Sequence, residues 1–588
     1  MILFFYSCNK DDDSNNNLDP PNSGIFTDNF GDTISRDFLG RVIDINNNPI
    51  ENVTITIGTT TATTDSNGVF IINNATVYER FGYIKADKGG YIHGSRAVVP
   101  SSGTNKVTIM LLEETVIQTL NSGEAGTVAL SNGASVSLDG NYKNPDGTDY
   151  TGTVDVIMHM LDPTNDAMEL QMPGMLYAEN AQGNERMLQT MGMLAIELRG
   201  DNGEDLNLAD GSNSEIRIPV DNSLLAIAPA TIPLWYFDEV NGYWKEEGEA
   251  TLIGNQYVGT VTHFSFWNCD IPTEAINLCV TLADENENPL ANLMVKIISY
   301  TYGSRSGITN QNGEVCGLVP SNEPLTIDVL GFDTCCSNFI YTASIGPFSA
   351  DATESITITN SVDAISETVT GTFNTCDGDP VSNGYVVLTY GTREVYDTVT
   401  DGTFEINMIR YNDDNTFSIE AIDVDESQSS GDISFTFATP LTNLGTIQSC
   451  NAISEFITYE IDGNSFTIVG NISATFNEAN ANVPEIEIRG GLHGNENCMW
   501  LVGNIDPSPF IGTYNLLDDF QEGSTGFNFV ENCPIMFLQS TNVQNDITFN
   551  LNNLGDVGEY IDINFNGMYI DPTASHTISG TIHVLRDQ

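Results

Sequence analysis

Gly40-Arg41-Val42-Ile43-Asp44, then Asn46-Asn47-Asn48-Pro49-Ile50, then Val53-Thr54-Ile55-Thr56-Ile57, decide how this chain is read. The last run alternates with a period of two, the pattern of a strand with one face buried and the other wet. Asn48-Pro49 marks the turn between strands, because proline fixes φ and has no N–H to give to a ladder. Thr64-Asp65-Ser66-Asn67-Gly68-Val69-Phe70 reads as a second turn, with glycine at the tight position before the next strand. Val107-Thr108-Ile109-Met110-Leu111 closes the unit near Leu112.

The pattern returns twice, which makes it more specific than a single occurrence. Val280-Thr281-Leu282-Ala283-Asp284 leads to Asn288-Pro289-Leu290, Leu293-Met294-Val295 and Thr309-Asn310-Gln311-Asn312-Gly313. Gly371-Thr372-Phe373 leads to Asp379-Pro380-Val381, Tyr385-Val386-Val387 and Thr400-Asp401-Gly402-Thr403-Phe404. In the first and third copies glycine precedes proline by nine residues, Gly40 to Pro49 and Gly371 to Pro380. This order of strands and turns resembles the carboxypeptidase regulatory-like domain, a transthyretin-like β-sandwich. The resemblance implies three sandwiches of one type, at 36–112, 271–362 and 363–450, acting as scaffold or spacer without peptidase activity. Asp44, Asp65, Asp284 and Asp401 are candidate ligands for a structural calcium ion. Turn chemistry is the preferred reading, since no D-x-D-x-D-G loop with a distal glutamate accompanies them.

Two further regions are also strand-like, so the expected fold is all-β throughout: tandem β-sandwiches with one larger β-rich domain. The region 113–270 contains Val154-Asp155-Val156-Ile157-Met158 and Glu215-Ile216-Arg217-Ile218-Pro219-Val220, and ends in an aromatic block. Pro233-Leu234-Trp235-Tyr236-Phe237-Asp238, Gly242-Tyr243-Trp244 and Glu247-Gly248 resemble the extracellular β-rich region of cartilage-intermediate-layer-type proteins. Trp235, Tyr236, Trp244 and Trp267 are candidates for a platform on which sugar rings stack. A plain sandwich core is the simpler account, because alternation in Phe264-Ser265-Phe266 sends both rings to one face. The region 451–588 reads as a C-terminal β-sandwich, with Glu485-Ile486-Glu487-Ile488-Arg489 alternating and Ile578-Ser579-Gly580-Thr581-Ile582-His583-Val584-Leu585-Arg586 closing it. Its final strand is similar to those of C-terminal sandwiches in Bacteroidetes lipoproteins.

In that last region, Gly490-Gly491-Leu492-His493-Gly494-Asn495-Glu496 resembles the H-x-x-E zinc motif of metallocarboxypeptidases, which implies His493 and Glu496 as ligands and His576 or His583 as a third. The catalytic domain of that family is a large α/β fold, and no segment here shows helical periodicity with caps. No nucleophile elbow, P-loop, dinucleotide fingerprint or H-E-x-x-H motif is present. The expectation is a protein that is not an enzyme and needs no cofactor.

Composition narrows the partners. With 19 basic against 80 acidic residues the formal net charge is −61, and such a surface repels nucleic acid and anionic lipid. No run of 18 apolar residues exists to span a bilayer as a helix. Ten cysteines without paired C-x-x-C spacing suit an oxidising compartment. Cys376 with Cys450, and Cys498 with Cys533, are the expected bridges, each closing one domain.

At the start, an apolar run, Ile2 to Tyr6, reaches Ser7-Cys8 and then Asn9-Lys10-Asp11-Asp12-Asp13. This resembles the cleavage and lipidation site of a bacterial lipoprotein, with 1–7 a signal-peptide remnant and Cys8 the acylated first residue. Lys10, Asp11 and Asp12 resemble the signal that sends Bacteroidetes-type lipoproteins to the cell surface. Several acyl chains exceed the threshold for stable anchoring. Residues 8–35, rich in Asn, Asp, Pro and Gly, are expected to be a disordered tether. The functional expectation is an outer-membrane, surface-exposed lipoprotein whose stacked sandwiches form a stalk and whose loops bind a glycan or a surface protein. A structural subunit of an outer-membrane barrel complex is the alternative, and a zinc hydrolase using His493 and Glu496 the third.

Overall fold

The structure, a computed structural model, describes residues 25–587 except 166, 331–338, 360–364, 392, 411–414, 453–454, 463, 469–471, 478–482, 492–497, 507–509, 518–523, 530–545, 556, 558–559 and 571–573. Strands make up nearly all of its regular structure, and the chain is all-β with tandem β-sandwich domains. No helix among the described residues is long and apolar enough to cross a membrane.

The first sandwich sets the pattern. Its opening strand, Thr33–Ile43, lies between antiparallel Val69–Tyr78 and parallel Asn105–Met110. The facing sheet runs Thr60–Thr63, Thr54–Ile57, Gly82–Asp87, Gly94–Val98. In the second sandwich Ala275–Ala283 lies between antiparallel Glu314–Pro320 and parallel Ala352–Thr357, and the facing order is Gly303–Ile308, Met294–Ser299, Leu325–Leu330, Phe339–Ile345. In the third, Ile365–Thr375 lies between Thr403–Arg410 and parallel Leu441–Ser449, opposite Arg393–Thr398, Gly384–Tyr390, Thr416–Asp423 and Ile433–Thr436. Three stretches of chain thus share one topology, parallel pair included.

The glycine of the repeat has a packing reason. Gly40 pairs across the ladder with Phe70, and Gly371 pairs with Phe404. The same position in the second sandwich is Val280, and its partner is Val315. One large ring over a glycine, or two medium side chains, fills the same space. A Cβ placed on Gly40 overlaps the Phe70 ring. Gly40→Ala is therefore expected to destabilise the first sandwich by about 2 kcal/mol through overpacking. Adding Phe70→Val should recover much of that loss, and urea denaturation of the three variants checks it.

The turns repeat in atomic detail. Asp44 Oδ1 accepts the N–H groups of Asn46 and Asn48 at 2.7 and 2.8 Å, and Oδ2 accepts the Asn48 amide at 2.9 Å. Asp284 makes the same three bonds with Asn286 and Asn288, at 2.8, 2.8 and 2.9 Å. Asp65 accepts from Asn67 and Val69, and Asn310, its counterpart, accepts from Asn312 and Glu314. An uncharged amide does the work of the carboxylate there, so the turn uses the oxygen atom and not the charge. Gly68 and Gly313 close these turns at φ of 68° and 69°, where a side chain would meet the carbonyl of Val42 or Leu282. Asp401 and Gly402, at φ of 48° and 70°, form a two-residue hairpin turn whose Thr400 and Thr403 exchange both main-chain bonds.

The central region, Val116 to Thr273, forms a 13-stranded sheet system. Strand Glu185–Arg199 sends Met191, Leu194, Ile196 and Leu198 into one core and Leu188, Met193 and Ala195 into another. The C-terminal region packs a six-stranded sheet, Phe456–Ile461 to Ser575–Leu585 among its strands, on a four-stranded one. Ile457, Ile486, Leu501, Phe527 and Phe565 lie in the core between them.

Two expectations fail here. The tether does not extend to residue 35: Phe26 and Phe30, in a 3-10 turn, are 4% and 3% exposed and pack on Phe81, Tyr177 and Tyr243. Two phenylalanines on one side of a short turn bury enough apolar surface to fix a segment that is otherwise polar. Nor do the sandwiches form a stalk. The first packs directly on the third through Leu39, Val69, Tyr385, Val387 and Ile422, and also touches the second and the central region.

Candidate functional site

The proposed aromatic platform is not a surface. Trp235, Trp244 and Trp267 are each 0% exposed, and only Tyr236 is half-buried. Trp235 and Trp244 lie in the core that contains Phe237 and Phe266, whereas Trp267 lies in the opposite one with Phe264. The alternation argument for Phe264 and Phe266 fails for the same reason: the sheet is covered on both faces, and Phe264 precedes the strand Phe266–Thr273. Stacking on a sugar requires an open ring face, which these indoles lack.

Charge collects instead where the modules meet. Lys106, on the last strand of the first sandwich, donates to Asn292 Oδ1 of the second at 2.5 Å and to the Tyr396 carbonyl of the third at 2.8 Å. Asp397 Oδ2 lies 3.5 Å from the same nitrogen, and both side chains are nearly buried, at 13% and 10% exposure. Asn292 also donates to the Asn407 carbonyl at 2.9 Å. Arg41 pairs with Glu394 at 3.1 Å and lies over the Tyr396 ring. Ser102 of the first sandwich donates to Glu314 of the second through its N–H at 2.8 Å and its hydroxyl at 2.6 Å.

A cavity of about 310 Å³ opens between the first sandwich, the central region and the second sandwich. Its lining includes Arg96, Glu169, Met172, Met187, Arg305 and Ser306. Arg96 is on strand Gly94–Val98, Arg305 on Gly303–Ile308 and Glu169 on the helix Met168–Gln171. Arg96 donates to the Glu169 carbonyl, and Arg305 to the carbonyls of Ser304 and Leu188 at 2.7 and 2.9 Å. Neither guanidinium has an ion-pair partner among the described residues. Burial lowers Arg96 to about 10, Glu169 opposes the shift and Arg305 adds to it.

On another face of the first sandwich, His93 Nε2 lies 3.0 Å from Ser95 Oγ and 3.2 Å from the Tyr83 hydroxyl, and Nδ1 lies 3.8 Å from Glu239 Oε2. Hydroxyl, imidazole and carboxylate in this order match nucleophile, base and orienting acid. Ser95 is 2% exposed, however, and its oxygen accepts the Gly174 N–H at 3.2 Å; the imidazole–carboxylate gap also exceeds hydrogen-bond reach. The group joins the first sandwich to the central region. Burial, aided by Glu197 and Asp205, pushes Glu239 up from 4.5 to about 8, and burial holds His93 down from 6.5 to about 4.

These shifts oppose each other at acid pH. The raised carboxyl contributes stability that is fully present below 4.5 and lost as pH rises through about 8; the depressed imidazole contributes stability present above 6.5 and lost as pH falls toward 4. From about pH 6.5 to 8 the Glu239 carboxyl acts and the imidazole does not, and Glu51, raised by burial to about 7, adds to the same fall, so the melting temperature is expected to fall across that window. Glu239→Gln should flatten the fall, as thermal melts at several pH values would show.

Cys376 and Cys450 are bridged, and a second bridge joins Cys279 to Cys316 on neighbouring strands. The latter is a pair that spacing did not single out, and it ties up the two thiols lying near Glu314. Cys498 is disulfide-bonded, and Cys533 lies outside the described residues. So do Cys8, Lys10, Asp11, Asp12, His493 and Glu496. His576 Nδ1 lies 2.6 Å from Asp462 and His583 Nδ1 2.5 Å from Asp562, so each of these rings has a carboxylate partner. Lys106, Arg96 and Arg305 were not singled out from the sequence; their one signal was the scarcity of basic residues.

No family model matches the chain. A stretch of 110 residues, 18% of the chain, is 29% identical to cartilage intermediate layer protein 2 of Mus musculus, and the match spans 9% of that protein's length. Among solved structures the chain is similar to a streptococcal ancillary pilin at 12% identity, covering 39% of this chain and 95% of that one, with a TM-score of 0.13. It is also similar to BcpA, the major pilin subunit of Bacillus cereus, at 9% identity over 72% of this chain and 100% of that one, with a TM-score of 0.11. Scores this low bear on neither fold nor function.

Proposed function

We propose that this chain is a non-catalytic cell-surface lipoprotein, held in the outer membrane through Cys8, in which carboxypeptidase regulatory-like sandwiches and a central β-rich domain form one binding and display body. The observation that carries this reading is the use made of the buried ionisable groups. Lys106 with Asp397 joins sandwiches, the Tyr83 hydroxyl donates to the Glu239 carbonyl and so joins the first sandwich to the centre, and Arg410 with Glu367 closes the third sandwich from within. Such groups hold modules in fixed register and leave the loops to make contact with partners. The N-terminal Cys8-Asn9-Lys10-Asp11-Asp12 supports the location. Acyl chains at about 0.8 kcal/mol per buried methylene are sufficient to retain the body at a bilayer.

Cys8→Ser is expected to move the protein from the membrane fraction to the soluble fraction without altering its circular dichroism. Mass spectrometry of the native N-terminus checks the acyl modification directly. An unmodified Cys8 on membrane-associated protein would contradict the anchor. Pull-down from outer membranes separates a free-standing display protein from a subunit of a barrel complex, since only the subunit brings down a stoichiometric barrel.

A further inference from the structure

We propose that the cavity between the first sandwich, the central region and the second sandwich binds a small ligand carrying a carboxylate or phosphate on an apolar body. A guanidinium offers five N–H donors. Arg96 directs one to a main-chain carbonyl and Arg305 directs two, so most of both sets remain available. In a chain with 80 acidic residues, Arg41, Arg80, Arg199, Arg217, Lys143 and Lys245 have carboxylate partners within 4.0 Å, whereas Arg36, Lys85, Lys88 and Lys296 have none among the described residues. Arg96 and Arg305 also have none among the described residues, and both line one cavity. Both side chains are half-buried with no carboxylate in contact, and a bound oxyanion would supply charge-assisted hydrogen bonds to their remaining N–H groups.

The charges facing the cavity are few. Lys106 is held by Asn292, Tyr396 and Asp397, and Glu169 Oε2 accepts the Ser306 hydroxyl at 3.0 Å. Glu169 and the buried Asp270 both act on Arg305, but neither lies within 4.0 Å of a guanidinium nitrogen among the described residues, so both arginines keep N–H donors for an anion. Val99, Met172, Leu176, Met187 and Leu318 form an apolar part of the wall, and Ser101, Thr104, Asn105, Thr108 and Asn310 form a polar part. Thioether side chains adapt to irregular shapes, and a volume of about 310 Å³ suits a small molecule with one charged end.

This site does not depend on where the chain is anchored, so its failure leaves the surface reading untouched. Isothermal titration of the full chain with hexanoate, phenyl phosphate, inorganic phosphate and hexanol tests it. Hexanoate or phenyl phosphate should bind with one-to-one stoichiometry, more tightly than inorganic phosphate, and hexanol should not bind; the better of the two organic anions identifies the headgroup. Arg96→Gln and Arg305→Gln should each weaken binding at least about tenfold, because each removes a charged bidentate donor. Glu169→Gln, which retains an acceptor for Ser306, should tighten it several-fold. If the arginine variants do not fold, the Glu169→Gln result decides alone. Absence of saturable binding by any anion, affinities unchanged in both arginine variants, or no gain in Glu169→Gln would overturn the proposal.

Discussion

Glu367→Ala is expected to destabilise the third sandwich by about 4 kcal/mol, the largest effect of any single change here. Glu367 and Arg410 are 0% and 1% exposed, and Glu367 Oε1 accepts from Arg410 Nε at 3.1 Å, Arg410 Nη2 at 2.8 Å and Thr439 Oγ1 at 2.5 Å. Arg410 also donates to Asn415 and lies over the Phe437 ring. Removing the carboxylate leaves a guanidinium in a dry interior with its main partner gone. Replacing both residues removes the charge as well, so Glu367→Leu combined with Arg410→Met should lie much closer to the parent than either single change. Native-state hydrogen exchange on strand Ile365–Thr375 reads the local loss without requiring the whole chain to unfold in one step. Equal destabilisation of the single and double variants would mean that the pair is not what holds this core.

Lys106→Met should weaken the joint between modules by about 3 kcal/mol while leaving each sandwich folded. The change strands Asp397 without its counter-charge and leaves Asn292 Oδ1 and the Tyr396 carbonyl without their donor. The core residues of the three sandwiches, such as Val42, Leu282 and Phe373, lie in separate clusters that do not include Lys106. Circular dichroism is therefore expected to stay the same while exchange accelerates in strand Arg393–Thr398 and in the segment around Ser101. A loss confined to the first sandwich would mean that Lys106 serves its own module only.

The repeat was legible because it rests on local rules. Period-two alternation, a proline after the turn and a glycine at positive φ are properties of a few neighbouring residues, and Asp44 and Asp284 fold their turns with matching bonds. The glycine–proline spacing held only in the first and third copies because the second fills the same space with Val280 and Val315. The Cys376–Cys450 bridge followed from the idea of one closure per domain, whereas Cys279–Cys316 needed the strand register to be known.

The assembly of modules was not legible. Lys106 sits in Asn105-Lys106-Val107-Thr108 at a position that alternation assigns to solvent, and its partners are 186 and 290 residues further along. Arg96 and Arg305 were hidden by the same logic: a polar residue on the outer face of a two-sheet sandwich reads as wet until another module covers it. The tryptophans show the converse error. An aromatic block on an alternating strand suggests one exposed face, but a sheet covered on both sides gives its rings nowhere to be exposed.

Small-angle X-ray scattering of the full chain in solution tests most directly whether the sandwiches are gathered into one body. A compact chain of this length has a radius of gyration of about 25–30 Å. Five sandwiches of about 35 Å laid end to end would give roughly 50 Å. The packing of the first sandwich on the third predicts the smaller value, with an increase in Lys106→Met; a radius near the larger value in the parent protein would contradict it.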